Sequence, residues 1–296
     1  VVGILDDDGK FSLSDPISKY ATSLRLPKRG ELKATLEDIL SHRVGVVPNA
    51  YDTRLEDGGD PAEIRRSLGS LNQVCPPGDC HTYQNVAFDA ISEAVEAVTG
   101  ADYAEIVTAS LFEPLGMATA SLTRKDLVAA PSWARPHRKR RSEAAPRERR
   151  VQQPYYKVPA AGGVNGSILD LAKFARAQMG LDQQVLPQSV LAEIHDPRVY
   201  TRREQSSISR RYPGSMRDAR YALGWRSYKY ADRRVVGHRG AVDGYRALIL
   251  FDPVGDTGVV ALWNSNSNRP VGVQFEVMDM AFDLPRRDWL KLDTEG

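Results

Sequence analysis

Two short stretches of this 296-residue chain hold residue types that can act on one substrate together. The first is Thr82-Tyr83-Gln84-Asn85, directly before the run NVAFDAISEAVEAVTG. A phenol and a carboxamide one residue from each other, at a loop-to-helix junction, can be aimed into one cleft. The phenol becomes a general base only where positive charge lowers its pKa from about 10. The second stretch is GHRGAVDGY, residues 237–245, which ends one extended run and turns into another. Glycines at 237, 240 and 244 let a ligand approach the backbone closely. His238 can present a proton or a partial positive charge to that ligand. Taken singly, each stretch also fits a plain structural role: a half-buried tyrosine with a satisfied hydroxyl, or a glycine-rich hairpin carrying a surface histidine.

The elements that must position these residues follow from periodicity. The chain opens on VVGILDDDGKFSL, an apolar start with no capping residue before it, which reads as a helix entered partway. Residues 28–46 read as one helix, with Leu32, Leu36, Ile39 and Leu40 at three-to-four spacing. Residues 50–72 read as a loop with a short helix from Pro61. Ala87, Ala90, Ile91, Ala94, Val95 and Val98 share one face of the helix after Tyr83, and Gly100 stops it. A further helix over 102–117 ends at Pro114. Ser167 and Asp170 form an S-x-x-D capping box for a helix that ends at Gly180. Beyond residue 220 the period becomes strand-like. YALGWRSY, RRVVGH, GYRALILF and TGVVALWN, joined by short turns, suit an antiparallel meander. A closing helix has Pro270 in its first turn. Helices, then a sheet, then a helix that packs back describe an α+β protein with no internal repeat.

Composition is that of a globular chain, 42% hydrophobic and 26% charged, with room for two ordinary domains or one larger domain of two lobes. No apolar run approaches the ~18–20 residues that cross a bilayer. The net charge of +2 is uneven. Residues 135–150, RPHRKRRSEAAPRERR, hold eight Arg or Lys against two Glu, and residues 201–220 form a second basic stretch. Such runs can meet an anionic surface. Without interleaved aromatics or a nucleic-acid-binding fold they read as solvated insertion loops, so no nucleic acid is expected as partner. Cys75 and Cys80 are the two cysteines, too few for a zinc site; a small disulfide and two free thiols both fit CPPGDC.

Taken in order, the motifs resemble the serine β-lactamase and penicillin-binding protein superfamily, in its class C β-lactamase-like branch with esterase and D-aminopeptidase relatives. GILDDDGKFSLSDPISKY resembles the segment after that family's nucleophile helix, and ILSHRVGV its usual LLSHTSGL loop. YQNVAFDAISEAVEAVTG matches the Tyr-x-Asn motif and its helix. LFEPLGM and AAGGVNGSILDLAKF match two further family segments, and GHRGAVDGY occupies the place of the Lys-Thr-Gly strand. The resemblance implies a β-lactamase/transpeptidase-like α+β fold: an antiparallel sheet flanked by helices, a helical lobe over about 20–165 and an α/β lobe over about 166–296, in a single domain. It implies acyl transfer through a serine ester, with an ester, a D-amino peptide or a β-lactam as substrate and no cofactor or metal. Carried over, Tyr83 is the general base or shares a relay with a lysine. Asn85 binds the substrate amide, and His238, Arg239 and Gly240 take the place of Lys-Thr-Gly. The Ala241 N–H is one oxyanion donor. A neutral His238 holds a substrate carboxylate weakly, which tilts the expectation toward ester or amide hydrolysis, unless Arg239 turns inward and restores the cation.

One part of the pattern is missing. None of the serines has a lysine three places on; Ser121 and Ser207 have arginine there, in the wrong places. The resemblance puts Ser-x-x-Lys shortly before Val1. The expectation is therefore a chain that lacks its N-terminal strands and nucleophile and is inactive by itself, from a periplasmic or secreted protein. The rival expectations are an inactive family member that binds peptidoglycan-like or peptide ligands, and an anionic-surface binder acting through 135–150 and 201–220. Oligomeric state is not legible.

Overall fold

The computed structural model describes residues 1–140 and 142–292. In chain order the helices of the first part are α1 (Val2–Asp7), α2 (Leu36–Leu40), α3 (Asp52–Glu56), α4 (Pro61–Ser67), α5 (Asn85–Phe88), α6 (Ala90–Thr99), α7 (Tyr103–Val107) and α8 (Arg124–Ala129). A hairpin of β1 (His137–Arg138) and β2 (Arg147–Glu148) follows, then α9 (Ile168–Gln178) and α10 (Gln188–His195). Next come β3 (Val199–Tyr200), α11 (Arg202–Arg211), β4 (Met216–Tyr221), β5 (Arg226–Tyr230), β6 (Arg233–Val242), β7 (Tyr245–Asp252), β8 (Thr257–Trp263) and α12 (Val273–Ala281).

Strands β3 to β8 form one sheet in sequence order, every pair antiparallel, as short turns require. Each face is apolar and covered. Met216, Tyr228, Tyr230, Val235 and Leu250 pack against Ile208 of α11 and Phe275 and Met278 of α12. Val236, Ile249 and Phe251, with Trp225, pack against Ala175 of α9. The family-like α+β fold is thus present, with helices on both sides of an antiparallel meander. Among the described residues no helix is long and apolar enough to cross a membrane.

Three expected elements come out differently. The helix read over 28–46 is two pieces. Lys28 and Arg29 are left-handed inside a tight turn over Pro27–Leu32, and Thr35 then starts α2 afresh with a capping box to Asp38. Leu36, Ile39 and Leu40 are buried, but Leu32 is 47% exposed and belongs to no common face. YALGWRSY is not one strand; Gly224, at φ +76°, turns β4 into β5. The second basic stretch is not a solvated loop, whereas the first is exposed along nearly its whole described length. The first contains the β1–β2 hairpin; the second contains α11, with Ile208 buried, and most of β4. Two further readings are matched, although Asp89 separates α5 from α6 within the helix expected after Tyr83. α6 buries Ala90, Ile91, Ala94 and Val95 and ends at left-handed Gly100, and Ser167 and Asp170 cap α9 in a box. The helix over 102–117 continues past α7 as a π-helical turn, Thr108–Phe112, before Pro114.

Two constraints hold the helical part. Cys75 and Cys80 form a disulfide, closing the loop that runs into Tyr83. Gly45 sits at φ +75° with its missing Cβ only 2.1 Å from the Cys75 carbonyl oxygen, so no side chain fits there. The second constraint is a buried ion network. Arg65 of α4 reaches Asp89 at 2.6 Å and Glu93 of α6 at 2.7 Å. Its Nε donates to Ser23, and Asp89 also accepts from the Ala160 N–H. Four separate segments, around Ser23, Arg65, Asp89 and Ala160, are thus joined in one network. Arg65→Met should therefore cost about 3–5 kcal/mol in urea unfolding, because it leaves a buried carboxylate unpaired; a loss below about 1 kcal/mol would show the network to be peripheral.

Candidate active site

The Tyr83 segment is set by backbone bonds to the loop after α2. Thr82 N–H donates to the His42 carbonyl at 2.7 Å, Asn49 N–H to the Tyr83 carbonyl at 2.9 Å, and Gln84 N–H to His42 Nδ1 at 3.2 Å. His42 is itself left-handed, at φ +55°. That conformation turns its imidazole under the Tyr83 ring, with centroids 4.1 Å apart, and against Phe88 and Tyr221. Asn85 is the first residue of α5, and its Nδ2 donates to Asp52 Oδ2 at 2.9 Å.

The opposite wall is β6. His238 Nε2 lies 3.1 Å from the Tyr221 hydroxyl, and its ring stacks over Tyr83 with centroids 6.4 Å apart. The last pair between β5 and β6 is Arg226 with Gly237, whereas β6 continues paired to β7 as far as Val242. Among the described residues, His238–Val242 therefore have a strand partner on one edge only. Gly240 and Ala241 lie in that half-paired segment and are exposed. The structure thus brings Tyr83 and His238 together, with Asn85 two residues beyond Tyr83 at the start of α5 and Gly240 and Ala241 following His238 on β6.

Arg239 goes elsewhere. It is paired with Glu204 of α11, on the strand face opposite His238, as the two-residue period of a strand requires. The cation beside Tyr83 is Arg226. Its guanidinium is 5.6 Å from the ring centroids of both Tyr83 and Tyr221 and 3.0 Å from Glu204 Oε2. Arg226, Glu204, Tyr221 and His42 were not singled out from sequence. His42 had a signal, since it lies within ILSHRVGV; Glu204 was hidden in a stretch read only for its positive charge.

The electrostatics favour neutral side chains. Burial lowers His238 to about 3, with Arg226 and Arg239 adding to the effect. Burial also brings His81 down to about 4 and holds His42 well below its ordinary value. For Tyr83, burial raises the phenol; Arg226 pulls it down and Asp52 pushes it up. Burial alone would raise the Glu204 carboxyl, but Arg226 and Arg239 hold it below the ordinary range. Tyr83 is thus a phenol whose conversion to a base needs more positive charge than Arg226 supplies. Among the described residues, no group of three or more His, Cys, Asp or Glu is placed to hold a metal ion.

Comparison with known proteins bears on the family and the fold. The family model described as Beta-lactamase matches residues 1–278. Unguisins hydrolase ungD of Aspergillus violaceofuscus is 25% identical over 291 residues, which cover 88% of this chain and 49% of that protein. Protein flp of Staphylococcus aureus is 22% identical over 268 residues, 89% of this chain and 50% of that protein. The chain spans about half the length of these curated relatives. Among solved structures, the octameric penicillin-binding protein homologue from Pyrococcus abyssi superposes with a TM-score of 0.81 at 22% identity, over 98% of this chain and 64% of that one. A D-stereospecific amidohydrolase from Streptomyces sp. gives 0.72 at 20% identity, over 90% and 78%. At these identities the superpositions establish the shared fold.

Two outcomes follow from the site. Arg226→Gln should raise the Tyr83 phenol further, seen as a later midpoint of its ring-carbon NMR titration; an unchanged midpoint would remove Arg226 from the electrostatics of Tyr83. The second concerns acid. His42, His81, His195 and His238 all have their folded values lowered by burial. The unfolded chain then binds more protons below about 6.5, so stability is full above that pH and falls as pH drops toward about 4. Melting temperatures compared across that range should fall steeply, and a flat profile would contradict the neutral cluster.

Proposed function

The chain belongs to the Beta-lactamase family, and we propose that it carries the general-base and substrate-strand side of a serine acyl-transfer site. The observation that supports this most directly is the meeting of Tyr83 and His238, from distant parts of the sequence, beside the half-paired end of β6. An extended acyl substrate can lie along that edge and bond to its free backbone groups. In this reading Asn85 contacts the substrate amide and the Ala241 N–H holds the developing oxyanion. Tyr83 takes the proton of a serine hydroxyl as its oxygen attacks the acyl carbon, then returns it to the leaving group. A water molecule later cleaves the ester by the reverse route.

The nucleophile in this reading is a serine outside the 296 residues. No serine here has the Ser-x-x-Lys spacing, and among the described residues no serine hydroxyl bonds Tyr83 or His238. The lysine of such a motif is also the extra cation that Tyr83 lacks. By itself the chain is then inactive. Neutral His238, with Arg239 committed to Glu204, supplies no strong partner for a β-lactam carboxylate, which favours ester or amide substrates, D-amino peptides among them. The relatives described as an unguisins hydrolase and a D-stereospecific amidohydrolase point the same way. The Cys75–Cys80 disulfide supports a periplasmic or secreted location.

A second reading is a protein of the same fold that binds peptide ligands without turning them over; the raised Tyr83 phenol favours it. Covalent labelling separates the two. A fluorophosphonate or fluorescent penicillin should leave the 296-residue chain unmodified and should acylate or phosphonylate a Ser-x-x-Lys serine in the longer protein. An adduct on any serine of these 296 residues would overturn the assignment of the nucleophile. Saturable binding with no adduct on the longer protein would select the second reading.

A further inference from the structure

The basic run 135–150 is not merely tolerated on the surface; it is fastened to the end of the sheet where β6 is half-paired. His137 N–H donates to the Asn264 carbonyl at 3.0 Å and lies 3.4 Å from that of Gly244. Asn264 Nδ2 returns a bond to the Arg135 carbonyl. Lys139 and Asn266 exchange two bonds between backbone and carboxamide. Tyr245 donates its hydroxyl to the Ala134 carbonyl at 2.6 Å. Gly244, at φ +79°, has its missing Cβ 2.6 Å from Pro136 Cβ, so the hairpin and the β6–β7 turn leave no room for any other residue. Asp243, in that turn, is bracketed by Arg138 at 3.4 Å and Arg149 at 3.6 Å.

After these ties, positive charge is left over. Lys139, Arg140 and Arg150 are exposed, and among the described residues no carboxylate pairs with any of them. Lys139 and Arg150 directly adjoin Arg138 and Arg149, the two residues that bracket Asp243 in the turn after β6, and Arg140 follows Lys139. The bonds of His137 and Lys139 to residues 244, 264 and 266 fix this base of the hairpin against the end of the sheet.

We infer that the 135–150 hairpin is a subsite for the site on β6, recognising an extended peptide-like ligand through carboxylates beyond its acyl position. This rests on the acyl-transfer reading for the place of the ligand, and it narrows the substrate class to anionic peptides. The hairpin draws the acidic segment in at long range and holds it by several exposed charge pairs, while the half-paired β6 edge holds the backbone. A patch separate from the site would need neither the attachment nor its position at the turn that ends β6.

The test uses the whole chain and needs no turnover. A fluorescein-labelled peptide of four glutamates with a short alanine tail and its glutamine counterpart are titrated by anisotropy, and a nitroxide is then placed at the alanine end of the acidic peptide. The acidic peptide should bind about tenfold tighter than the neutral one at about 50 mM salt and lose most of that margin at about 200 mM. The combined variant Lys139→Gln, Arg140→Gln, Arg150→Gln should bind it about tenfold more weakly, since three exposed charge pairs are removed. The nitroxide should broaden the His238 ring signals in the parent chain. Equal binding of the two peptides, an unaffected variant, or binding without His238 broadening would each overturn the inference. So would stronger binding to single-stranded DNA or to anionic phospholipid vesicles than to the peptide. Failed labelling of the longer protein leaves this result standing, whereas failure here leaves the acyl-transfer reading untouched.

Discussion

The site depends on how the β4–β5 turn is seated. Gly224 N–H donates to the Leu40 carbonyl at the end of α2, 2.8 Å away, and Leu223 N–H donates to Ile194 in α10. These backbone groups are buried between the helical part and the sheet, where an unmade bond would cost its full desolvation. Satisfying them fixes α2 against the sheet, and with α2 the left-handed His42 two residues later. His42 in turn carries Tyr83 through ring contact and backbone bonds, while Tyr221, just before the turn, reaches His238. One joint therefore sets both walls of the site, and it explains why the Tyr83 loop needs a disulfide and a glycine at 45 on its other side: the loop is clamped at both ends.

Charge is arranged around that joint in layers. Glu204 lies between Arg226 and Arg239, so one carboxylate of α11 binds β5 and β6 together just where their pairing stops. A buried arginine is tolerable only with such a partner. The network leaves Arg226 facing two aromatic rings and keeps the nearby imidazoles uncharged. The cation that the family pattern would place on β6 is thus displaced to β5, behind the aromatic wall, where it tunes Tyr83 without presenting itself to a carboxylate at Gly240.

Much of this was legible in the sequence, and what was not has a common cause. Motifs governed by local backbone chemistry came through: the Ser167–Asp170 box, left-handed Gly100, the α6 face and the meander of short strands. Tyr83, Asn85, His238 and Ala241 were singled out through the resemblance to a family motif, and the structure brings Tyr83 and His238 into ring contact. The broken helix over 28–46 was missed because Leu32 keeps the right spacing while Thr35 competes as a cap, and capping chemistry outweighed periodicity. YALGWRSY was misread for a similar reason: its apolar residues run on through a left-handed glycine. Arg226 and Glu204 were invisible because nothing local in sequence distinguishes a buried arginine from the many exposed ones; only the tertiary pairing does. The second basic run was misjudged because net charge records composition and not burial, and the attachment of the first was not legible because the bonds that anchor 134–139 come from residues 244–245 and 264–266.

The displaced cation and the attached hairpin bear on one another. A strong positive charge close to the acyl carbon would hold a substrate carboxylate equally in ground and transition states, which improves binding without speeding the chemical step. Moving the charge outward, to Lys139, Arg140 and Arg150, lets an anionic ligand be attracted and oriented at a distance while the groups near the reacting carbon stay neutral. A neutral His238 with its Nε2 engaged by Tyr221 then contributes shape and a hydrogen bond, not a competing charge. On the proposed acyl-transfer reading, selectivity would be set by the sheet's end and the hairpin attached to it, and the chemistry by the nucleophile brought to Tyr83.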